Sequence, residues 1–329
     1  MKRKLTAWVL CLVLCAVTVL FASCRKTGND ESSDNGMDLS SNMSRVESNV
    51  SGAMSDVTSG LSSFFDPDES SRHSESSISS NEAAPTGAAV DISDFDLSGL
   101  DKLENEKKGW GQGVQVDSKN RPVSCDVYQK KYGQYGSVFI MPDSEKTMYL
   151  TFDEGYENGY TAKILDTLKE KKCSAVFFVT MPYVKQNPDL VRRMIDEGHI
   201  VGNHSVNHKS MPTLSTKDAA QEIIGLHNYV LETFGYKMTL FRPPMGEWST
   251  RTLELANRLG YKSILWSYAY LDYDTKNQMG VDKAFPKVTK AAHNGAVYLL
   301  HAVSKDNAEM LGDVIDTFRA EGYTLKGLS

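Results

Sequence analysis

From Met148 onward the chain alternates between short β-rich apolar runs and longer segments with helical spacing, and this alternation limits its fold more than any other feature. The strand-like runs are Met148–Phe152, Ala175–Val179, Ile200–Gly202, Thr239–Phe241, Ser263–Trp266, Ala296–Leu300 and Thr324–Lys326. Between them, apolar residues recur at steps of three and four, as in Ile164, Leu165 and Leu168, or Met310, Leu311, Val314, Ile315 and Phe318. About seven strands alternating with helices imply parallel strands joined by right-handed crossovers, hence an α/β barrel or a doubly wound sheet.

In a barrel of this kind, the C-terminal strand ends and the loops after them share one mouth, where chemistry is done. Asp153 and Glu154 follow the first strand, His204 and His208 the third, Arg242 the fourth, Asp272 the fifth and His301 the sixth. A structural protein has little reason to place titratable groups at the ends of so many buried strands, so an enzyme is expected. The first of these ends, in the run MYLTFDEGYENGY over Met148–Tyr160, delivers two adjacent carboxylates to a turn at Gly155. His204 and His208 are four residues apart, a spacing that predicts both imidazoles on one face of a helical turn. Two His beside a carboxylate are a common set for a catalytic divalent metal that keeps a position open for water.

The other polar residues read as local or structural. His199, His227 and His293 are expected to hydrogen-bond locally or lie on helices, Pro243-Pro244 to stiffen a turn, and Trp248, Trp266 and Tyr268 to serve either as core or as sugar-stacking platforms. Residues 99–146 form an N-terminal flanking segment whose Gly109-Trp110-Gly111 motif packs, with short strands near Val123–Tyr128 and Ser137–Met141.

Ahead of this, Lys2, Arg3 and Lys4 precede an apolar run from Leu5 to Ala22, then Ser23 and Cys24, after which the sequence turns polar. This resembles a bacterial lipoprotein signal over residues 1–24, cleaved before a lipidated Cys24, with Phe21 where Leu is usual. It implies a protein held at the outer face of the cell membrane, or secreted if the signal is an ordinary one. Residues 25–98 are rich in Ser, Asn, Asp, Glu and Gly, with Leu61, Phe64 and Phe65 as the one apolar cluster, and are read as a disordered tether. Cys125 and Cys173 are the cysteines left in the body of the protein and are expected to be unpaired thiols. A formal net charge of −6 and the absence of a basic block beyond the N-terminus argue against nucleic acid as a partner.

Thr151-Phe152-Asp153-Glu154-Gly155, His204-Ser205 with His208, Arg242-Pro243-Pro244-Met245-Gly246, Asp272-Tyr273 and Leu299-Leu300-His301 together resemble the five ordered motifs of the polysaccharide deacetylases with the NodB-type domain. The resemblance covers residues 147–329. Gly155-Tyr156-Glu157-Asn158-Gly159-Tyr160, the stretch Tyr298–Glu309 and the upstream Trp110-Gly111 are similar to the δ-lactam-biosynthetic branch, the peptidoglycan N-acetylmuramic acid deacetylases.

This resemblance implies a distorted (β/α) barrel that hydrolyses an acetamide on the sugars of peptidoglycan glycan strands. N-acetylglucosamine, another surface polysaccharide or a non-catalytic glycan-binding role are the alternatives. It also implies a divalent metal on His204 and His208, zinc in the first place with manganese, cobalt or magnesium as alternatives. Asp153 would be the general base, Arg242 its partner, His301 the general acid oriented by Asp272, and the Met245 backbone N–H an oxyanion donor. Tyr156, Asn158 and Tyr273 would contact substrate. Two departures stand out: Glu154 occupies the place of a metal-binding Asp and either reaches the metal or leaves it to two His, and Tyr273 replaces the usual Trp.

Overall fold

The computed structural model describes residues 88–328. The signal read over 1–24, with its lipidation site at Cys24, and most of the tether read over 25–98 lie outside the described residues.

Ten strands are present among the described residues: β1 Lys108–Gly109, β2 Ser137–Val138, β3 Thr147–Glu154, β4 Val176–Val179, β5 Ile200–Asn203, β6 Leu240–Phe241, β7 Glu247–Trp248, β8 Lys262–Ile264, β9 Ala296–His301 and β10 Thr324–Leu325. Eight α-helices accompany them: α1 Val123–Tyr132, α2 Thr161–Glu170, α3 Met181–Gln186, α4 Pro188–Asp196, α5 Thr216–Phe234, α6 Thr250–Arg258, α7 Val281–Thr289 and α8 Lys305–Ala320. All seven strands expected from the alternation form, and they pair in parallel. β3 pairs with β9 along one edge and shares the other between β10 and β4, and the sheet continues through β5, β6 and β8 to β2. A parallel bridge between Tyr268 and Tyr298 joins the end of β8 to β9, so the sheet curls into the expected distorted barrel.

Because side chains alternate along a strand, each strand sorts its residues between two apolar groups. Tyr149 on β3, Val176 and Phe178 on β4, Leu240 on β6, Ile264 on β8 and Val297 on β9 pack together inside the curl. Met148, Leu150 and Phe152, with Phe177, Val179, Val201, Phe241, Tyr298 and Leu300, face the helices on the outside. A third, aromatic-rich group of Trp110, Tyr132, Phe139, Trp248 and Trp266 lies under the flanking segment.

Two local expectations are corrected and one open alternative is resolved. Val123–Tyr128 belongs to helix α1, not to a strand. Its buried Cys125 and Tyr132, with Tyr128 between them, follow a helical step, and Val127, which a strand would have turned inward, is 44 % exposed. The chain packs earlier than the tether boundary at 98 implies, since Val90 exchanges backbone hydrogen bonds with the Asn228 side chain on α5 at 3.0 and 2.8 Å, and Ile92, Phe95 and Leu97 lie against the core. Trp248, Trp266 and Tyr268 are buried core residues, which removes them as sugar-stacking platforms.

One glycine bears on the site. A Cβ on Gly202 of β5 would come within 2.5 Å of the Phe178 ring, and that ring lies 4.1 Å from the Arg242 guanidinium carbon. Gly202→Ala should therefore cost roughly 1–3 kcal/mol through overpacking and displace the cation. Denaturant unfolding together with acetate-release rates would check this, and unchanged values for both would contradict it.

Candidate active site

The alternation that builds the core also selects the site. On β3, Tyr149 and Asp153 share the inner face while Phe152 and Glu154 share the outer one. Counting by twos from Val297, Leu240 and Ile200 puts His301, Arg242 and His204 on the same inner face as Asp153. Asp153 and His301 are register neighbours on adjacent strands.

Arg242 is fully buried and organises one half of the mouth. Its Nη1 donates to Asp153 Oδ1 at 2.7 Å and its Nε to the Ile264 carbonyl at 3.0 Å, with Phe178 beneath the guanidinium. Burial is the largest influence on the Asp153 carboxyl and raises its pKa, but the charge of Arg242 beside it leads the opposing influences, which outweigh burial and hold the group below its ordinary value. The carboxylate is thus kept ionised in a buried place.

His204 and His208 come together, but not on a helical turn. The segment is a loop in which Ser205 and His208 both adopt left-handed φ values, 72° and 52°. Side chains impose that shape. Asn203 Oδ1 accepts the Ser205 N–H at 2.9 Å, and Ser205 Oγ accepts the His208 N–H at 2.9 Å. Glu222 on α5 grips Asn207 twice, taking its backbone N–H at 2.7 Å and its side-chain amide at 2.8 Å. Sequence reasoning missed Asn203 and Glu222. The one available signal was a carboxylate at Glu222 inside an otherwise apolar stretch of α5, on a face that a helix would bury.

The His204 Nδ1–H donates to the Arg242 carbonyl at 2.9 Å, which leaves its Nε2 as the lone-pair nitrogen. That Nε2 is 3.1 Å from His208 Nε2 and 3.5 Å from Asp153 Oδ2. Burial lowers the pKa of both rings, that of His208 to about 3, so both are neutral. Two neutral imidazoles with converging Nε2 atoms fit a divalent cation, whose Zn–N bonds run about 2.0–2.1 Å. Among the described residues there is no group of three or more His, Cys, Asp or Glu side chains that could hold an ion.

Glu154 is not brought to them. It is fully buried on the outer face of β3, and neither of its carboxyl oxygens meets a hydrogen-bond partner. Burial, then the neighbouring Glu157 and Asp153, raise its pKa well above the ordinary value. Glu154 therefore lies on the opposite face of β3 from Asp153.

His301 forms the other half of the mouth. Its Nδ1–H donates to Asp272 Oδ1 at 2.7 Å, its backbone N–H to Asp272 Oδ2 at 2.8 Å, and the Tyr273 ring stands 5.4 Å away at a steep angle. Burial, the largest influence, opposes a charge on the ring, but the Asp272 carboxylate overcomes it and His301 titrates above its ordinary value. Met245 lies at φ 58°, ψ 9° and Gly246 at φ 64°, a left-handed pair that turns the chain sharply after Pro243-Pro244. Tyr156 is 46 % exposed and Tyr273 36 %, so both present rings to solvent near the strand ends. The Asn158 amide is already engaged, donating to the Val303 carbonyl at 2.9 Å and tying the loop after β3 to the loop after β9. Cys125 and Cys173 are free, buried thiols, as expected.

A curled parallel sheet with a carboxylate–arginine pair, two facing imidazoles and a histidine–carboxylate pair at its mouth defines a hydrolase site. The chain belongs to the polysaccharide deacetylase family, whose model matches residues 141–264. It is 40% identical over 227 residues to the peptidoglycan-N-acetylmuramic acid deacetylase PdaA of Bacillus subtilis, a match that covers 69% of this chain and 86% of that one. The solved structure of PdaA, described as a family 4 carbohydrate esterase, superposes with a TM-score of 0.65 at 41% identity, over 68% of this chain and 95% of that one. An uncharacterized 30.6 kDa protein of Geobacillus stearothermophilus is 44% identical over 228 residues, 69% of this chain and 85% of its own length.

Proposed function

We propose that this protein removes the N-acetyl group from N-acetylmuramic acid in peptidoglycan, releasing acetate and leaving a free amine, with a divalent metal bound by His204 and His208. The observation that carries the reading is the division of labour at the mouth. A carboxylate is held ionised by Arg242 on one strand, the protonated form of a histidine is favoured by Asp272 on the next, and two neutral imidazoles lie beside the carboxylate. The likeness to PdaA supports the choice of sugar.

The metal, when bound, supplies Lewis acidity toward the acetyl carbonyl and lowers the pKa of water at the site. Asp153 Oδ2, the oxygen not engaged by Arg242, accepts the proton from the attacking water. Arg242 keeps that carboxylate oriented and charged throughout. The left-handed turn at Met245 presents backbone toward the developing oxyanion. His301, whose protonated form Asp272 favours, gives its Nε2 proton to the departing nitrogen.

Digested cell wall treated with the protein and examined by mass spectrometry should show acetyl loss from muramic acid. Dialysis against a chelator should abolish the activity, and zinc or another divalent ion should restore it. Acetyl loss confined to glucosamine would replace the proposed sugar. Tight muropeptide binding with no acetate and no bound metal would replace the enzyme with a glycan-binding protein.

A further inference from the structure

We propose that Asn307, fixed in turn by Tyr270, is a positioning residue that holds the Asp272 carboxylate against His301; the inference rests on His301 acting as the proton donor. Asn307 lies in the first turn of α8, and Ser304 Oγ caps that turn by accepting the Asn307 N–H at 3.2 Å. The cap fixes where the side chain starts. From there Asn307 Nδ2 donates to Asp272 Oδ2 at 2.6 Å and to the His301 carbonyl at 3.1 Å. Asn307 is 1 % exposed and Asp272 1 %, so no solvent competes for these bonds.

An amide can be rotated half a turn, and the wrong orientation here would set its oxygen against a carboxylate. The Asp272 carboxylate and the His301 carbonyl, which can only accept, exclude that orientation and keep Nδ2 facing them. The buried Tyr270 hydroxyl then donates to Asn307 Oδ1 at 2.6 Å and ties down the other end of the amide. The result is a chain of four groups, Tyr270 to Asn307 to Asp272 to His301. Within it Asp272 Oδ1 is left for the imidazole Nδ1–H, while Oδ2 is taken by two N–H donors, one from His301 itself and one from Asn307. Without the amide, Oδ2 loses a donor that ties it to α8, and the carboxylate can rotate about its last torsion. Besides Asp272, the charged groups that act on His301 are Asp153 and Arg242 across the mouth, and the Asn307 amide adds no charge of its own.

The test compares Asn307→Ala, Asn307→Asp and Tyr270→Phe with Asp272→Asn, His301→Gln and the double variant Asp272→Asn/Asn307→Ala. Acetate release from glycan and the imidazole proton resonances of His301 are both followed as pH is varied. Loss of a hydrogen bond to a buried charge predicts that Asn307→Ala lowers kcat roughly ten- to hundred-fold with KM unchanged. The His301 Nδ1 proton should exchange faster with water in that variant, a change that a general loss of stability well below unfolding would not produce. Asn307→Asp adds a second carboxylate beside the imidazole and should move the alkaline limb of the rate profile upward. Tyr270→Phe removes one hydroxyl, keeps the fold, and should give a smaller effect of the same kind. In the Asp272→Asn background, Asn307→Ala should have no further effect on kcat. The inference is overturned if Asp272→Asn and His301→Gln inactivate the enzyme while Asn307→Ala and Tyr270→Phe leave rate, profile and Nδ1 exchange unchanged, or if the double variant shows independent losses. Full activity in His301→Gln would instead overturn the assignment of His301 as proton donor.

Discussion

Asp153→Asn should release acetate about 10²–10⁴-fold more slowly than the unaltered protein, the usual contribution of a positioned general base. The loss should appear in kcat, because the amide can still accept a hydrogen bond from Arg242 and the mouth keeps its shape. It should also cost stability. Arg242 is fully buried and Asp153 is the anion beside it, so neutralising Asp153 leaves a cation without its counter-charge. Removing one partner of a buried pair typically costs about 3–5 kcal/mol, and retention of the hydrogen bond should put Asn at the low end. Activity must therefore be measured well below the midpoint of a thermal melt recorded on the same sample. Acetate release at the normal rate from a folded Asp153→Asn protein would remove Asp153 from the mechanism.

The second large effect is on pH. In the proposed mechanism Asp153 works ionised, and it titrates below the ordinary carboxylate range, so activity should appear as pH rises through that depressed value. In the same mechanism His301 works protonated, and it titrates above the ordinary imidazole value, so activity should disappear as pH rises through that elevated one. The profile is a bell whose plateau spans the two. Stability follows the same groups. The pKa of Asp153 is lower in the folded state than in the unfolded chain, so its contribution is present above the unfolded value and lost as pH falls through the folded one. His301 has the opposite sign: its contribution is complete below the unfolded imidazole value, near 6.5, and is lost as pH rises through the elevated folded value. Asp272→Asn removes the charge that raises His301, so the alkaline limb should move to lower pH and kcat should fall. An alkaline limb that stays in place in Asp272→Asn would separate His301 from that limb.

The barrel was legible because it rests on repetition. Seven apolar runs, each short and each followed by a helical spacing, leave few arrangements open, and all seven became parallel strands. The convergence of the candidate residues was legible because strand ends define the mouth. What the sequence hides is direction. Asp153 and Glu154 are equal candidates as letters, and only the alternation counted from Tyr149 sends one inward and the other beneath the helices. The His204–His208 spacing suggested a helical turn, yet the two rings meet through left-handed residues held by Asn203, Ser205 and Glu222, contacts that span up to fifteen residues and carry no local pattern. Asn307 is hidden for the same reason, since its partners Tyr270 and Asp272 lie more than thirty residues away. Val123–Tyr128 misled because Val123, Cys125 and Val127 alternate as in a strand, whereas the buried face follows Cys125, Tyr128 and Tyr132 at helical steps.

The flanking segment carries a consequence for modularity. Strand β1 pairs antiparallel with β7, the Trp110 N–H donates to the Gly246 carbonyl at 2.9 Å, and the Trp110 indole donates to the Trp266 carbonyl at 2.9 Å. The turn that carries Met245 is thus braced by residues more than a hundred positions earlier in the chain. A fragment trimmed to the barrel would keep every titratable group of the site and lose the brace of that turn. The portable unit, the piece that can be grafted, shuffled or inherited whole, is therefore larger than the part of the chain that bears the chemistry.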